Sequence, residues 1–581
     1  MNIATAHLRK KVKFIMQTTW FAFGIITARL IYLQVNLTDH LLHKSKQNFQ
    51  RFHKVQPMRG NIIDCNNILL ATNRPVTDLY WQGSGNNKLN PVQEKTIAVI
   101  STIIDKPLTN DNELHASLNN AERYSQNLII ASDLSFEQLS KLEEIFPNHK
   151  NIALSTRFQR YYPYKSYASH ILGYLGDINV CMQGKMGLEM LFEDYLKGEH
   201  GLMLRIINSV GKKLSEKELK QTLAGYTIQT TLDITLQQIA EEIFPQEYAG
   251  TIVVMDPQDG AILALVSRPC FDPSLFLGPI SISEWHILQE KQPFLNRAFN
   301  ASYPPGSIFK LVTASAALEE NIIKPEFTWE CKGYLHLGKR KYLCNQRYGH
   351  GTLTTMQAVA KSCNILFYEI GRRMNIDQIA FYARLFGLGE KTGIIFHEKE
   401  GLIPTTKWKL ETKGEQWWPG ETLSVAIGQS FLLVTPIQVA RMISSIFTQE
   451  LVMPRILTNE PVQKRKLALN PETLSFLQHS MRAVVTQGTG HRISKVKSIE
   501  IYAKTSTAQV SGLQKRHLDQ SYLEHGWFVA YFCYKNYKPL TIIILIEHSG
   551  SSRLPTVTAK NFLIQYKKIM DAKDNSSISY S

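Results

Sequence analysis

Three short stretches, far apart in the chain, carry residues able to do nucleophilic chemistry together. The first reads Tyr303-Pro304-Pro305-Gly306-Ser307-Ile308-Phe309-Lys310. Pro-Pro-Gly forbids a helix before it, and the apolar-periodic run that follows predicts a helix over Ser307–Glu320. A serine in the first turn and a lysine three residues on share one face. A neutral Lys310 amine could take the Ser307 proton and make it a nucleophile, provided burial or a nearby cation lowers the lysine pKa. The second stretch is Ser362-Cys363-Asn364, inside a pattern that predicts one helix over Thr352–Met374. The third is Lys504-Thr505-Ser506-Thr507, expected on a strand edge. There a lysine and hydroxyls can hold a carboxylate, and Lys504 can supply the field that lowers the Lys310 pKa.

Each stretch alone is weak. Ser209/Lys212 and Ser494/Lys497 repeat the spacing of the first, and Ser84/Asn86 and Ser117/Asn119 that of the second. The order Ser-x-x-Lys, Ser-x-Asn, Lys-Thr-x-Thr carries the signal, because that triple marks penicillin-binding proteins and class A β-lactamases. The chain resembles class B penicillin-binding proteins over nearly its whole length. Met58–Asp64, with Arg59, Gly60 and Asp64, is similar to their N-terminal arginine-glycine motif. Arg160–Gly176 and Gly187–Gly201 resemble their non-catalytic module, and Gly401–Trp408, Trp417–Arg441 and His525–Phe532 their C-terminal domain. Gly349-His350-Gly351, Phe386-Gly387-Leu388-Gly389 and Pro419-Gly420-Glu421-Thr422 look most like the cell-elongation branch. Two residues depart from the pattern. Ser506 stands where the third motif usually has glycine, and Asn364 where the elongation branch often has aspartate.

The resemblance implies a peptidoglycan D,D-transpeptidase that is a β-lactam target. Ser307 attacks the penultimate D-Ala carbonyl of a stem pentapeptide, with Lys310 as base. Ser362 and Asn364 relay the proton and position the substrate. Lys504, Thr505 and Thr507 bind the terminal carboxylate, and the oxyanion lies between the Ser307 and Thr507 amides. An amine from a neighbouring stem then resolves the acyl-enzyme. The implied fold is α+β: a transmembrane helix, an elongated mixed pedestal domain, and a transpeptidase domain with an antiparallel sheet and helices on both sides. The implied partners are a membrane glycosyltransferase and elongation-complex proteins. A division-type transpeptidase, a D-Ala-D-Ala carboxypeptidase and an inactive cell-wall scaffold are the alternatives. A β-lactamase would be about half as long and free of an anchor.

Cys331, Cys344, His350 and Cys363 form a second constellation within 33 positions. Cys₃His is a structural zinc set, and the elongation branch carries zinc here, with a histidine and the second-motif cysteine among its ligands. The competing readings are a Cys331–Cys344 disulfide and a Cys363 that is simply buried. No metal is required for the chemistry itself.

These residues need elements to position them. The 581 residues are 44% hydrophobic and 20% charged, enough for several cores. A net charge of +16 without a long basic run or nucleic-acid motif reads as a solvated basic surface, so no nucleic-acid partner is expected. The basic segment His7–Lys13 precedes an apolar stretch, Phe14–Val35, of spanning length. Its charge predicts a cytoplasmic start and an extracytoplasmic bulk on an uncleaved, single-pass inner-membrane anchor. Arg29 lies near the outer end, where it can snorkel. The expected divisions are a cytoplasmic tail (1–13), the anchor (14–35), the pedestal (36–235) with a helical stalk over 36–57, the transpeptidase domain (236–570) and a disordered tail (571–581). Seven scattered cysteines do not make a disulfide scaffold.

Overall fold

The structure is a computed structural model. It describes residues 3–105, 108, 112–147, 149–178, 181–207, 213–278, 280–510 and 519–578. The chain divides into two compact units, each discontinuous in sequence. The first comprises Met1–Arg59, Asn73–Gln159 and Lys197–Gly225; the second comprises Gly60–Thr72, Arg160–Leu196 and Tyr226–Ser581.

The first unit begins with a helix, Ile3–Ile31, extended by a π-turn at Tyr32–Asn36. It is the one helix among the described residues long and apolar enough to cross a membrane, and the Arg29 guanidinium lies over the Tyr32 ring. The stalk expectation holds only in part. Thr38–Phe49 is helical, but Gln50–Val55 is a strand. It pairs antiparallel with Gly201–Ile207, and that ladder satisfies the backbone groups a helix would otherwise have to pair. Elsewhere in the unit, Leu79, Trp81, Ile97, Ile100, Leu118 and Leu142 form a core. The Trp81 indole donates to the buried Glu122 carboxylate at 3.2 Å.

The second unit is built on one antiparallel sheet: β1 (Gly250–Met255), β2 (Ile262–Arg268), β3 (Ile499–Ala508), β4 (His525–Tyr534) and β5 (Leu540–Ile546), in the order β2-β1-β5-β4-β3. Alternate residues serve two cores. Val253, Met255, Leu265, Trp527, Val529, Ile543 and Leu545 face one; Ile252, Val254, Val266, Phe528, Ala530, Ile542 and Ile544 face the other. With both faces covered, the strands read as continuous apolar runs. Helices α1 (Lys310–Glu319), α2 (Thr355–Ala360) and α3 (Asn364–Arg373) lie in the first core. Helix α4 (Arg553–Ile578) covers the other face with Ala559, Phe562, Leu563 and Tyr566. The expected α+β architecture, with helices on both sides of an antiparallel sheet, is present.

Gly60 and Asp64 of the arginine-glycine motif form a backbone junction inside this unit. Asn67 has a positive φ of 65° in the turn after Ile62–Ile63. The buried Asp64 carboxylate accepts from the Asn66 and Ile68 amides at 2.8 and 2.7 Å and from the Ile234 amide at 3.2 Å. Arg160 donates to the Gly60 carbonyl and to Glu189, each at 2.7 Å. The expected disordered tail is not met over residues 571–578, which continue α4. Lys535 donates to Asp571 at 2.6 Å and to Asp574 at 2.7 Å, and Tyr534 also donates to Asp571. These anchors extend the helix past its apolar face; residues 579–581 lie outside the described residues.

Arg160 and Glu189 are both buried, at 4% and 0% exposure. Removing one member of such a pair leaves the other charged and dry. Arg160→Ala should lower the unfolding free energy by about 3–5 kcal/mol, measured by chemical denaturation.

Candidate active site

The three motifs meet at one hydroxyl. Ser362 Oγ donates to Ser307 Oγ at 2.8 Å. It accepts from Lys310 Nζ at 3.2 Å and from Lys504 Nζ at 3.2 Å. Lys310 also donates to the Ser362 carbonyl at 2.8 Å and to Asn364 Oδ1 at 2.7 Å. The lysine thus reaches the nucleophile through Ser362.

Each element presents its residue for a local reason. The Tyr303–Gly306 turn is tied on all sides. Tyr303 exchanges backbone hydrogen bonds with Val434. Trp527 Nε1 donates to the Pro304 carbonyl at 3.2 Å, and the Gly306 amide donates to the Gly428 carbonyl at 2.9 Å. Gly306 has φ +53° and Gly428 φ +79°; a Cβ at 428 would fall 2.0 Å from the Gly306 oxygen. A 3₁₀ turn, Gly306–Ile308, then holds Ser307 half-buried at the mouth of α1.

The second motif does not lie within one helix. Helix α2 ends at Ala360 and α3 begins at Asn364. Between them Ser362 has φ 57°. The Cys363 amide donates to Ala358 at 2.8 Å and the Ser362 amide to Val359 at 3.2 Å. This is a Schellman cap with serine at the left-handed position that usually takes glycine. The break turns the Ser362 hydroxyl toward both lysines, and the Lys310 bond to its carbonyl holds the strained backbone in place.

The third motif lies on β3, the sheet's edge strand. Lys504 is fully buried and also donates to the Thr505 carbonyl at 2.9 Å. Thr505 and Thr489 share a hydroxyl bond of 2.5 Å, and Thr507 Oγ1 accepts from the Ser552 amide at 3.1 Å. Ser506, the residue in place of glycine, points at the turn: its hydroxyl donates to the Pro305 carbonyl at 2.8 Å. It fastens the edge strand to the turn that carries Ser307.

Burial lowers the Lys310 pKa to about 8, against a smaller opposing influence from Cys363 and Cys344. Burial, and then the charge of Lys310, hold Lys504 well below the usual lysine value. Desolvation is therefore the first cause at both lysines; of the two causes the sequence left open for Lys310, burial or a nearby cation, burial is the one that acts.

Cys331, Cys344, Cys363 and His350 also converge, their ligand atoms all within 4.8 Å of one another. His350 Nδ1 lies 3.5 Å from both Cys331 Sγ and Cys344 Sγ, and Cys344 and Cys363 sulfurs are 3.8 Å apart. The three cysteines are free thiols. The contact between their sulfurs pulls the two thiols apart, lowering the pKa of Cys344 and raising that of Cys363. A tetrahedron of roughly 2.3 Å Zn–S bonds has an edge of about 3.8 Å, so the donor set fits that ion.

Among the described residues, none of the competing sequence pairs bonds to the catalytic cluster. Ser494 and Lys497 are exposed, and Ser84 and Ser117 belong to the first unit. Ser209/Lys212 lies outside the described residues. Thr489, Trp527, Gly428 and the Leu343 carbonyl, which accepts from Asn364 Nδ2 at 3.1 Å, were not singled out from the sequence. All reach the site from distant segments, and no spacing pattern marks them.

Residues 250–564 match the penicillin binding protein transpeptidase domain, and residues 54–230 the penicillin-binding protein dimerisation domain. The chain therefore belongs to the penicillin-binding protein transpeptidase family. It is a serine-type transpeptidase of that family's class B, with a dimerisation module ahead of the catalytic domain. The peptidoglycan D,D-transpeptidase MrdA of Acinetobacter baumannii is 30% identical, over 91% of this chain and 83% of the relative. The penicillin-binding protein 2 of Helicobacter pylori, solved in complex with MreC, superposes with TM-score 0.75 at 28% identity, over 90% of this chain and 99% of that one. A structure described as the structural coordination of polymerization and crosslinking by a peptidoglycan synthase complex gives TM-score 0.73 at 29% identity, over 96% and 98%.

Ser506→Ala removes one neutral hydrogen bond that orients the nucleophile's turn. Acylation by a fluorescent penicillin should slow by about 2- to 10-fold, read by stopped-time gel labelling.

Proposed function

We propose that the enzyme is the elongation-type peptidoglycan D,D-transpeptidase, anchored by its N-terminal helix in the inner membrane with its bulk outside. The observation that carries the chemistry is the pair of buried lysine nitrogens bonded to Ser362 Oγ, which is itself bonded to Ser307 Oγ. A donor stem enters with its terminal D-Ala carboxylate toward Lys504, Thr505 and Thr507. That anion favours the charged form of Lys504, and a charged Lys504 disfavours charge on Lys310. Substrate binding thus helps to free the base. The two serine hydroxyls rotate so that Ser307 donates to Ser362 and Ser362 to the neutral Lys310 amine. Ser307 Oγ attacks the penultimate D-Ala carbonyl carbon, and the amides of Ser307 and Thr507 receive the oxyanion. The C–N bond to terminal D-Ala breaks, and the proton returns through Ser362 to the leaving amine. Asn364 holds Lys310 in line. An acceptor-stem amine then attacks the ester and restores Ser307.

The Cys331, Cys344, His350 and Cys363 set fits a structural zinc ion, which would supply folding energy to the segment ahead of α3. A zinc-loaded enzyme should contain about one ion per chain by elemental analysis, and chelation should lower its melting temperature. A zinc-free protein with one disulfide by mass would overturn this assignment.

Elongation, rather than division, is supported by the MrdA relatives and by the neighbour solved with MreC. A partner glycosyltransferase is supported by the peptidoglycan synthase neighbour. Depletion should round the cells; filamentation would point to division instead. Fluorescent penicillin should label the wild type and leave Ser307→Ala unlabelled. The acylation rate should rise with pH through about 8 and then level off, because the reactive amine is neutral only above the Lys310 pKa. A flat profile from pH 6.5 to 9.5 would remove Lys310 as the base.

A further inference from the structure

From Cys331 to Tyr368 the chain has no aspartate or glutamate, yet it holds Lys332, Lys339, Arg340, Lys341, Arg347 and Lys361. Much of this charge sits on one small hairpin, Tyr334–Leu337 paired with Arg340–Leu343. Leu335, Leu337 and Tyr342 turn inward against the core. Lys339, Arg340 and Lys341 are exposed, as are Tyr334 and Tyr348 beside them. Lys332 pairs with Glu330 at 3.3 Å. Among the described residues, Lys339, Arg340, Lys341 and Arg347 have no carboxylate partner. Lys341 and Arg340 instead lie over aromatic rings, 4.0 Å from the Tyr334 centroid and 5.0 Å from that of Tyr342. Such contacts stiffen the side chains without neutralising them.

The hairpin also has a fixed relation to the catalytic cluster. The Leu343 carbonyl, at its end, accepts from Asn364 Nδ2 at 3.1 Å, and Asn364 Oδ1 accepts from Lys310 at 2.7 Å. Cys331 and Cys344, both buried, bracket its two strands. Tyr342 Oη donates to the Gly420 carbonyl at 3.4 Å. The base of the hairpin is thus joined to the catalytic cluster by hydrogen bonds, and its turn and return strand carry the cations.

We infer that this hairpin is a recognition surface for the carboxylates of peptidoglycan stem peptides, those on the stem's acidic residues rather than on its terminal D-Ala. The inference rests on the transpeptidase reading above and extends it to the strand outside the bond-making pocket. The substrate is a polyanion, and the hairpin is its charge complement on a strand pair hydrogen-bonded to the same cluster. An anionic phospholipid surface has similar chemistry, but the hydrogen-bonded path from the hairpin to Lys310 favours the substrate.

The test uses the full chain in detergent. Uncross-linked glycan strands with pentapeptide stems are compared with the same strands whose stem carboxylates, other than the terminal one, are amidated. Amidation should weaken binding by the wild type about tenfold, because exposed ion pairs each contribute modestly and here act together. The triple change Lys339→Gln, Arg340→Gln, Lys341→Gln should lower affinity for the free-acid strands similarly. It should erase the difference between the two strands and flatten the salt dependence. Penicillin acylation at Ser307 by the variant should stay within twofold of wild type, which separates this surface from the catalytic reading. Equal wild-type binding of free and amidated strands would overturn the inference. So would a triple variant that keeps full preference for free-acid strands but loses binding to phosphatidylglycerol vesicles.

Discussion

Two buried lysine amines bonded to one serine hydroxyl are the constraint around which the second unit is arranged. Neither Lys310 nor Lys504 exposes any surface. An isolated buried charge is costly, and two within reach of the same oxygen also repel. The fold meets that cost with carbonyl and amide oxygens: Ser362 and Asn364 around Lys310, Thr505 around Lys504. The consequence is chemical. A lysine stripped of water keeps its proton less firmly, so burial converts a structural expense into a base near neutral pH.

Three kinds of backbone feature hold this arrangement. A glycine-lined turn presents Ser307, a capped helix end presents Ser362, and an edge strand presents Lys504. None is a regular helix interior, where hydroxyls tend to bond their own carbonyls. Ser315, buried within α1, does that, donating to Leu311 at 2.8 Å. Ser362 escapes the same fate because α2 stops at Ala360, two residues before it.

Much of this could be read from the order of residues. The three motifs, the N-terminal apolar helix and the cysteine-histidine set follow from residue type, spacing and periodicity. The break at Ser362 did not, because Thr352–Met374 keeps helical periodicity across it and the left-handed position carries serine instead of glycine. The Gln50–Val55 strand was hidden because its partner, Gly201–Ile207, lies about 150 residues away. Periodicity reports which face of a segment is apolar, not what the segment pairs with. The same blindness concealed Thr489 and Trp527. It also left the direction of Ser506 open, since side-chain direction on an edge strand depends on what packs against it.

The contact between Gly306 and Gly428 has a consequence for how this enzyme can change. A side chain at 428 would collide with the 306 backbone, and one at 306 would meet the Ser506 hydroxyl at 2.4 Å. Both positions also require dihedral angles that other residues rarely adopt. The geometry that delivers the nucleophile is therefore closed to gradual adjustment. Variants that evade inhibitors while still turning over substrate must arise at the rim of the cleft, where residues can vary without moving the serine.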